Sequence, residues 1–84
     1  MAKGDAYIGI TSYLEKCNRT SITMSFMEVK KANGDHLPMS AYKHSAWWSN
    51  TESHSQAFGW MNAGYNTTNV DIIAQRVTFE KKES

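Results

Sequence analysis

The apolar positions of this chain follow two spacings in turn. Tyr7, Ile10, Tyr13 and Leu14 recur at helical intervals, which predicts a first helix from Asp5 or Ala6 to about Cys17. After a loop at Asn18–Ser21, the alternation of Ile22, Thr23 and Met24 predicts a brief strand. Ser25 and Glu28 then form a capping box: the Ser hydroxyl takes the backbone N–H three residues on, and Glu28 reaches back to Ser25 N–H. The helix it opens carries Phe26, Val29 and Ala32 on one stripe and is stopped by Asn33 and Gly34. Pro38 cannot continue a helix but can introduce one, so Met39 to about His44 is predicted helical. Trp47 and Trp48 extend that helix or open a strand; the spacing fits both. Ser53 and Gln56 make a second capping box, followed by a helical face of Ala57, Trp60 and Met61 up to Ala63 and Gly64.

From Asn69 the period becomes two. Val70–Ile73 and Val77–Phe79 are predicted to pair as a terminal hairpin turning near Ala74 and Gln75. Val70, Ile72, Val77 and Phe79 are expected on its buried face, since a one-residue slip would reverse every side chain. The stripes of three helices predict a core of Tyr13, Leu14, Phe26, Val29, Trp60 and Met61. The expected fold class is therefore α+β, with a short strand, three to four helices and a C-terminal hairpin. The order of elements resembles a winged helix-turn-helix with an inserted helix.

Eighty-four residues make one domain, residues 1–84, with a polar lead-in over 1–5 and a polar tail over 81–84. Cys17 is the single cysteine, so no internal disulfide forms, and no Cys/His spacing matches a structural zinc site. Stability must come from the apolar core. A lone cysteine fits a reducing cytoplasm, which is the expected location. There is no apolar run of membrane-spanning length and no signal-peptide stretch, so no membrane partner is expected. The formal net charge is +1. That excludes a general DNA binder driven by many phosphate contacts, because counterion release demands a clear basic excess.

Charge is unevenly spread. From His36 to Thr68 the chain holds all three histidines and all three tryptophans, but only Lys43 and Glu52 are formally charged. Rings interleaved with Ser, Asn, Gln and His suit a surface that recognises by stacking and neutral hydrogen bonds. They suit a small core with polar loops almost as well.

The residues Leu37, Pro38, Ser40 and Ala41, then His44, Trp47, Trp48, Asn50, His54, Gln56, Trp60, Ala63 and Gly64, carry a resemblance to a family of small uncharacterised bacterial domains. It extends from Tyr13 to Phe79. Relatives in that family place Arg beside the Ser-Ala pair and at the end of the last strand, where this chain has Tyr42-Lys43 and Glu80-Lys81. The resemblance implies an alignment of elements and no activity.

Adjacent tryptophans diverge on a helix and face opposite sides on a strand, so one of Trp47 and Trp48 is expected in the core and the other at its boundary. An exposed Trp48 would offer a stacking platform. His44 and His54 make no acid–base or metal motif with Asp35, Glu52 or Asp71, and structural roles are favoured for both. Asn50 has the paired donor and acceptor used on adenine edges. Ser40, Tyr42 and Lys43 open the third predicted helix, where free N–H groups and one cation meet a phosphate. Cys17 carries no nucleophile signature. The reading is a non-enzymatic recognition domain without cofactor or metal. It contacts nucleic acid through Ser40, Tyr42, Lys43, His44, Trp48, Asn50, His54 and Arg76. A protein partner on the same face is the alternative.

Overall fold

The computed structural model describes residues 7–51 and 53–82. The expected lead-in over 1–5, the helix start at Asp5 or Ala6, Glu52 and the end of the tail lie outside the described residues. The elements run α1 (Ile8–Cys17), β1 (Ser21–Ser25), α2 (Phe26–Ala32), α3 (Met39–Lys43), a 3-10 turn (Ser45–Trp48), α4 (Ala57–Met61), β2 (Tyr65–Asp71) and β3 (Arg76–Lys81). Helices and a three-stranded antiparallel sheet make the expected α+β fold, with strand order β1-β3-β2.

Local chemistry shapes the first half as the sequence predicts. Ser25 Oγ accepts from Glu28 N–H at 3.1 Å and Glu28 Oε1 from Ser25 N–H at 2.8 Å, a complete capping box. α2 ends at Asn33 and Gly34, where the glycine takes a φ of 65°. The second capping box does not form. Gln56 makes no capping bond to the start of α4; its Nε2 donates to the Trp47 carbonyl at 3.0 Å instead.

The hairpin is displaced from its expected extent. Pairing runs from Tyr65 to Asp71 against Arg76–Lys81, and Ile72–Gln75 form the turn. Asp71 Oδ1 accepts from Ala74 N–H at 3.0 Å, and Gln75 adopts a φ of 55°. This turn chemistry moves Ile72 and Ile73 out of the ladder. Ile72 is half-buried and Ile73 is 97% exposed. Val77 and Phe79 are buried as expected, and Val70 is half-buried opposite Val77. A bulge between Thr67 and Asn69 restores the alternation, which keeps Tyr65, Thr67 and Val70 toward the core. β1 adds Ile22 and Met24 to that layer through its pairing with Phe79 and Val77.

Leu14, Phe26, Val29 and Trp60 are buried as predicted, while Met61 sits at the margin. Tyr13 is a correction: it is 39% exposed. The buried stripe of α1 runs through Ile10, Thr11 and Leu14, which leaves Tyr13 on its flank. Thr11 Oγ1 donates to the Gly59 carbonyl at 2.6 Å and ties α1 to α4. At Gly9, an added Cβ would lie 2.3 Å from the Ala32 carbonyl oxygen and 2.8 Å from Asn33 Cα, so α1 crosses the end of α2 backbone to backbone. Gly9→Ala is expected to destabilise the domain by roughly 1–3 kcal/mol despite the better helix propensity of Ala. Denaturant midpoints of Gly9→Ala and of Ile8→Ala at the exposed neighbour check this; equal midpoints would contradict the crossing.

Candidate recognition surface

α3 starts where Pro38, in extended conformation, accepts from Ala41 N–H at 3.0 Å. It ends at His44, whose φ of −127° and ψ of 114° break the helix. The chain re-coils into the 3-10 turn, closed by Trp47 N–H to the His44 carbonyl and by Ser49 Oγ to the Ala46 carbonyl at 2.7 Å.

This turn settles the tryptophan pair, and not as expected: Trp47 is 9% and Trp48 1% exposed. The tighter 3-10 turn lets both rings enter one core, packed edge-on against each other with centroids 4.8 Å apart. Trp47 meets Tyr7 edge-on with centroids 5.8 Å apart. Trp48 stacks between Phe26 at 5.0 Å and Trp60 at 5.7 Å, and its Nε1–H donates to the Ala41 carbonyl at 2.9 Å. No face of Trp48 is left for a base.

Asn50 is likewise engaged within the fold. Its Nδ2 donates to the Thr67 carbonyl at 2.8 Å, and its Oδ1 accepts from Trp60 Nε1–H at 2.9 Å and from Thr67 N–H at 2.8 Å. The Thr67 hydroxyl lies 2.5 Å from the Trp48 carbonyl and 3.0 Å from Asn50 Oδ1; its single proton belongs to the shorter contact. The paired donor and acceptor that would read an adenine edge therefore hold the 3-10 turn, α4 and β2 together. His54 is half-buried, and its Nδ1 is enclosed without a hydrogen-bond partner among the described residues.

The remaining candidates stay at the surface. Ser40, Lys43 and His44 are exposed on and after α3, and Arg76 is exposed where β3 begins. Tyr42 is half-buried edge-on against Phe26, centroids 5.7 Å apart. Phe26 N–H donates to the Gln75 carbonyl at 2.8 Å, so the hairpin turn docks on the start of α2. Phe26 thus has α3 on one side and the Gln75-Arg76 turn on the other. The expected cluster splits: Ser40, Lys43, His44 and Arg76 are exposed and Tyr42 packs on Phe26, whereas the Trp48 ring is buried and the Asn50 amide, on an exposed residue, is taken up by bonds within the fold. Met27, on α2, and Ile73, in the hairpin turn, are both exposed and were missed. The signal for Ile73 was its place beside Ile72, because adjacent residues of a hairpin cannot both face the core.

Among the described residues, no group of three His, Cys, Asp or Glu side chains is placed to hold a metal ion. No helix among them is long and apolar enough to cross a membrane.

The fold and this surface define a small α+β domain with a hairpin docked on its central helix. The chain belongs to the family described as a domain of unknown function (DUF7662), whose model matches residues 7–83. No curated protein and no solved structure matches it.

Proposed function

We propose that the domain is a non-enzymatic recognition module that takes nucleic acid on the junction of α3 and the hairpin turn. The observation that carries this reading is the arrangement itself. Helix, strand and helix are followed by the short helix α3, the 3-10 turn, α4 and a hairpin, in a sheet ordered β1-β3-β2. With α4 read as an insertion, that order resembles a winged helix-turn-helix, in which α3 would take the place of the presented helix and the hairpin that of the wing. Lys43 and Arg76 supply phosphate contacts, and Ser40 and His44 add hydrogen-bond donors. With Trp48 and Asn50 turned into the fold, base readout has little to work with, so binding is weak and tolerant of sequence. The free thiol of Cys17 suits a reducing cytoplasm.

A protein partner is the second reading, favoured by the exposed apolar side chains of Ile73, at 97%, and Met27. One titration separates the two. Labelled duplex and single-stranded oligonucleotides at low salt are expected to bind with a logarithmic salt slope of about −2, from two phosphate contacts. Lys43→Ala and Arg76→Ala should each reduce that slope by about 1, whatever the oligonucleotide sequence. Absence of binding, or binding indifferent to both substitutions, passes this surface to a protein partner anchored by Ile73.

A further inference from the structure

A second surface lies at the other end of the sheet, where Ser21 pairs with Glu80, away from the Ser25–Arg76 end that carries the hairpin turn. Here the last turn of α1, the loop after it and β1 border an open cleft of about 470 Å³, lined chiefly by Tyr13, Lys16, Cys17, Arg19, Ser21 and Thr23. We infer that this cleft binds a small metabolite bearing a phosphate group.

Charge is the first argument. The lining holds two cations, three hydroxyls and a thiol, and no carboxylate, although the exposed Glu80 stands across the ladder from Ser21. A cleft lined by one sign of charge concentrates ligands of the opposite sign. The C-terminal end of the α1 dipole opposes an anion with only about half a charge. Part of that end is already satisfied, since Asn18 N–H donates to the Leu14 carbonyl at 3.0 Å, and Lys16 stands in the last turn. Glu28, the acid that bears on Tyr13, is held by its capping bond to Ser25.

Preorganisation is the second argument. Asn18 sits in the left-handed region at φ 47°, and its Oδ1 accepts from Lys81 Nζ. Tyr65 donates its hydroxyl proton to the Arg19 carbonyl at 2.5 Å, and Lys81 N–H donates to the Thr20 carbonyl at 2.8 Å. Three consecutive loop residues are thus tied to the β2-β3 hairpin, so little ordering cost remains when a ligand enters. Tyr13 keeps its proton and its place on the wall: its hydroxyl is pushed above its ordinary range, first by its hydrogen bond to Cys17, then by the charge interaction with that side chain and by burial. β1 is an edge strand, and alternate N–H groups on its unpaired side add further donors.

Size and polarity identify the class. The volume falls in the range of small-molecule sites, roughly 300–1,000 Å³, and is more than a lone ion fills. Hydroxyls and two cations match the several acceptor oxygens of a phosphate, with Arg offering a bidentate fork. The rest of the cleft accommodates a small polar body such as a polyol.

The test uses the whole protein and two readouts. Isotope-labelled protein is titrated with glycerol 3-phosphate, and separately with glycerol, to about 20 mM, well past a millimolar dissociation constant. Saturable shifts are expected at the amides of residues 16–23 with the phosphate ester only, and lost in Lys16→Gln/Arg19→Gln. Because Cys17 is the single thiol, intact mass also follows its alkylation. The rate with iodoacetate relative to neutral iodoacetamide should fall roughly two- to five-fold in the double variant, the range of exposed charge interactions. Glycerol 3-phosphate should protect Cys17 in the parent protein. Absent shifts at residues 16–23, equal shifts with glycerol, shifts surviving the double substitution, or an unchanged alkylation ratio would each overturn the assignment.

Discussion

Trp48→Ala is expected to remove about 3–5 kcal/mol of stability, the range for truncating a large aromatic side chain in a core. A domain of this kind has roughly 5–15 kcal/mol in total, so the variant should be largely unfolded at moderate temperature. The size of the effect follows from position. Trp48 touches Phe26, Trp47, Trp60 and Phe79, which come from α2, the 3-10 turn, α4 and β3. Its loss also leaves the buried Ala41 carbonyl without the indole N–H. Trp48→Phe keeps much of the ring contact but loses that bond, so it should cost distinctly less. Urea unfolding followed by circular dichroism measures both. A Trp48→Ala midpoint near that of the parent would mean that the ring is not central.

Asn50→Ala is the second large effect, and the sign of its outcome separates two roles for one residue. If the amide served recognition, the variant would fold normally and change only its ligand preference. The geometry leads to the opposite expectation. Trp60 Nε1–H and Thr67 N–H lose their common acceptor, and the Thr67 carbonyl loses its donor. Stranded buried groups cost about 1–3 kcal/mol each, and because Asn50 is itself exposed, hydration of the freed groups holds the total to roughly 2–5 kcal/mol. Hydrogen exchange gives a local check, since protection of the Thr67 amide should collapse further than that of the β1-β3 ladder. Equal protection in parent and variant would restore Asn50 as a candidate ligand contact.

The legible parts of the chain were those where structure depends on neighbours three or four residues apart. Ser25 and Glu28 are close enough in sequence that their reciprocal bonds need only the first turn of α2. Ser53 and Gln56 have the same spacing and did not make the same cap, because the Trp47 carbonyl captured the Gln56 amide across nine residues. Tyr13 shows the same limit on periodicity. Helical spacing placed it beside Leu14, but which flank of α1 meets the core depends on where α2 and α4 lie.

The candidate surface was legible in part. Ser40, Lys43, His44 and Arg76 are exposed, and what brings the Gln75-Arg76 turn to α2 is the bond from Phe26 N–H to the Gln75 carbonyl. The cleft beside Cys17 left no motif, since its walls come from a helix end, a loop and an edge strand, each ordinary by itself.

By itself, then, the sequence determined the α+β class, the order of the elements, the cap and stop of α2, and the inward positions Val77 and Phe79. These follow from short-range hydrogen bonding and from the side-chain periods of helix and strand. Only the tertiary structure decided the fate of the polar-aromatic block. A Trp or Asn side chain is equally competent to bind a ligand or to hold a core together. The choice rests on whether a partner such as Thr67, 17 residues from Asn50, is brought within hydrogen-bond reach. Once it is, burying those polar groups satisfied costs little, and the bonds that would have recognised something else are already made.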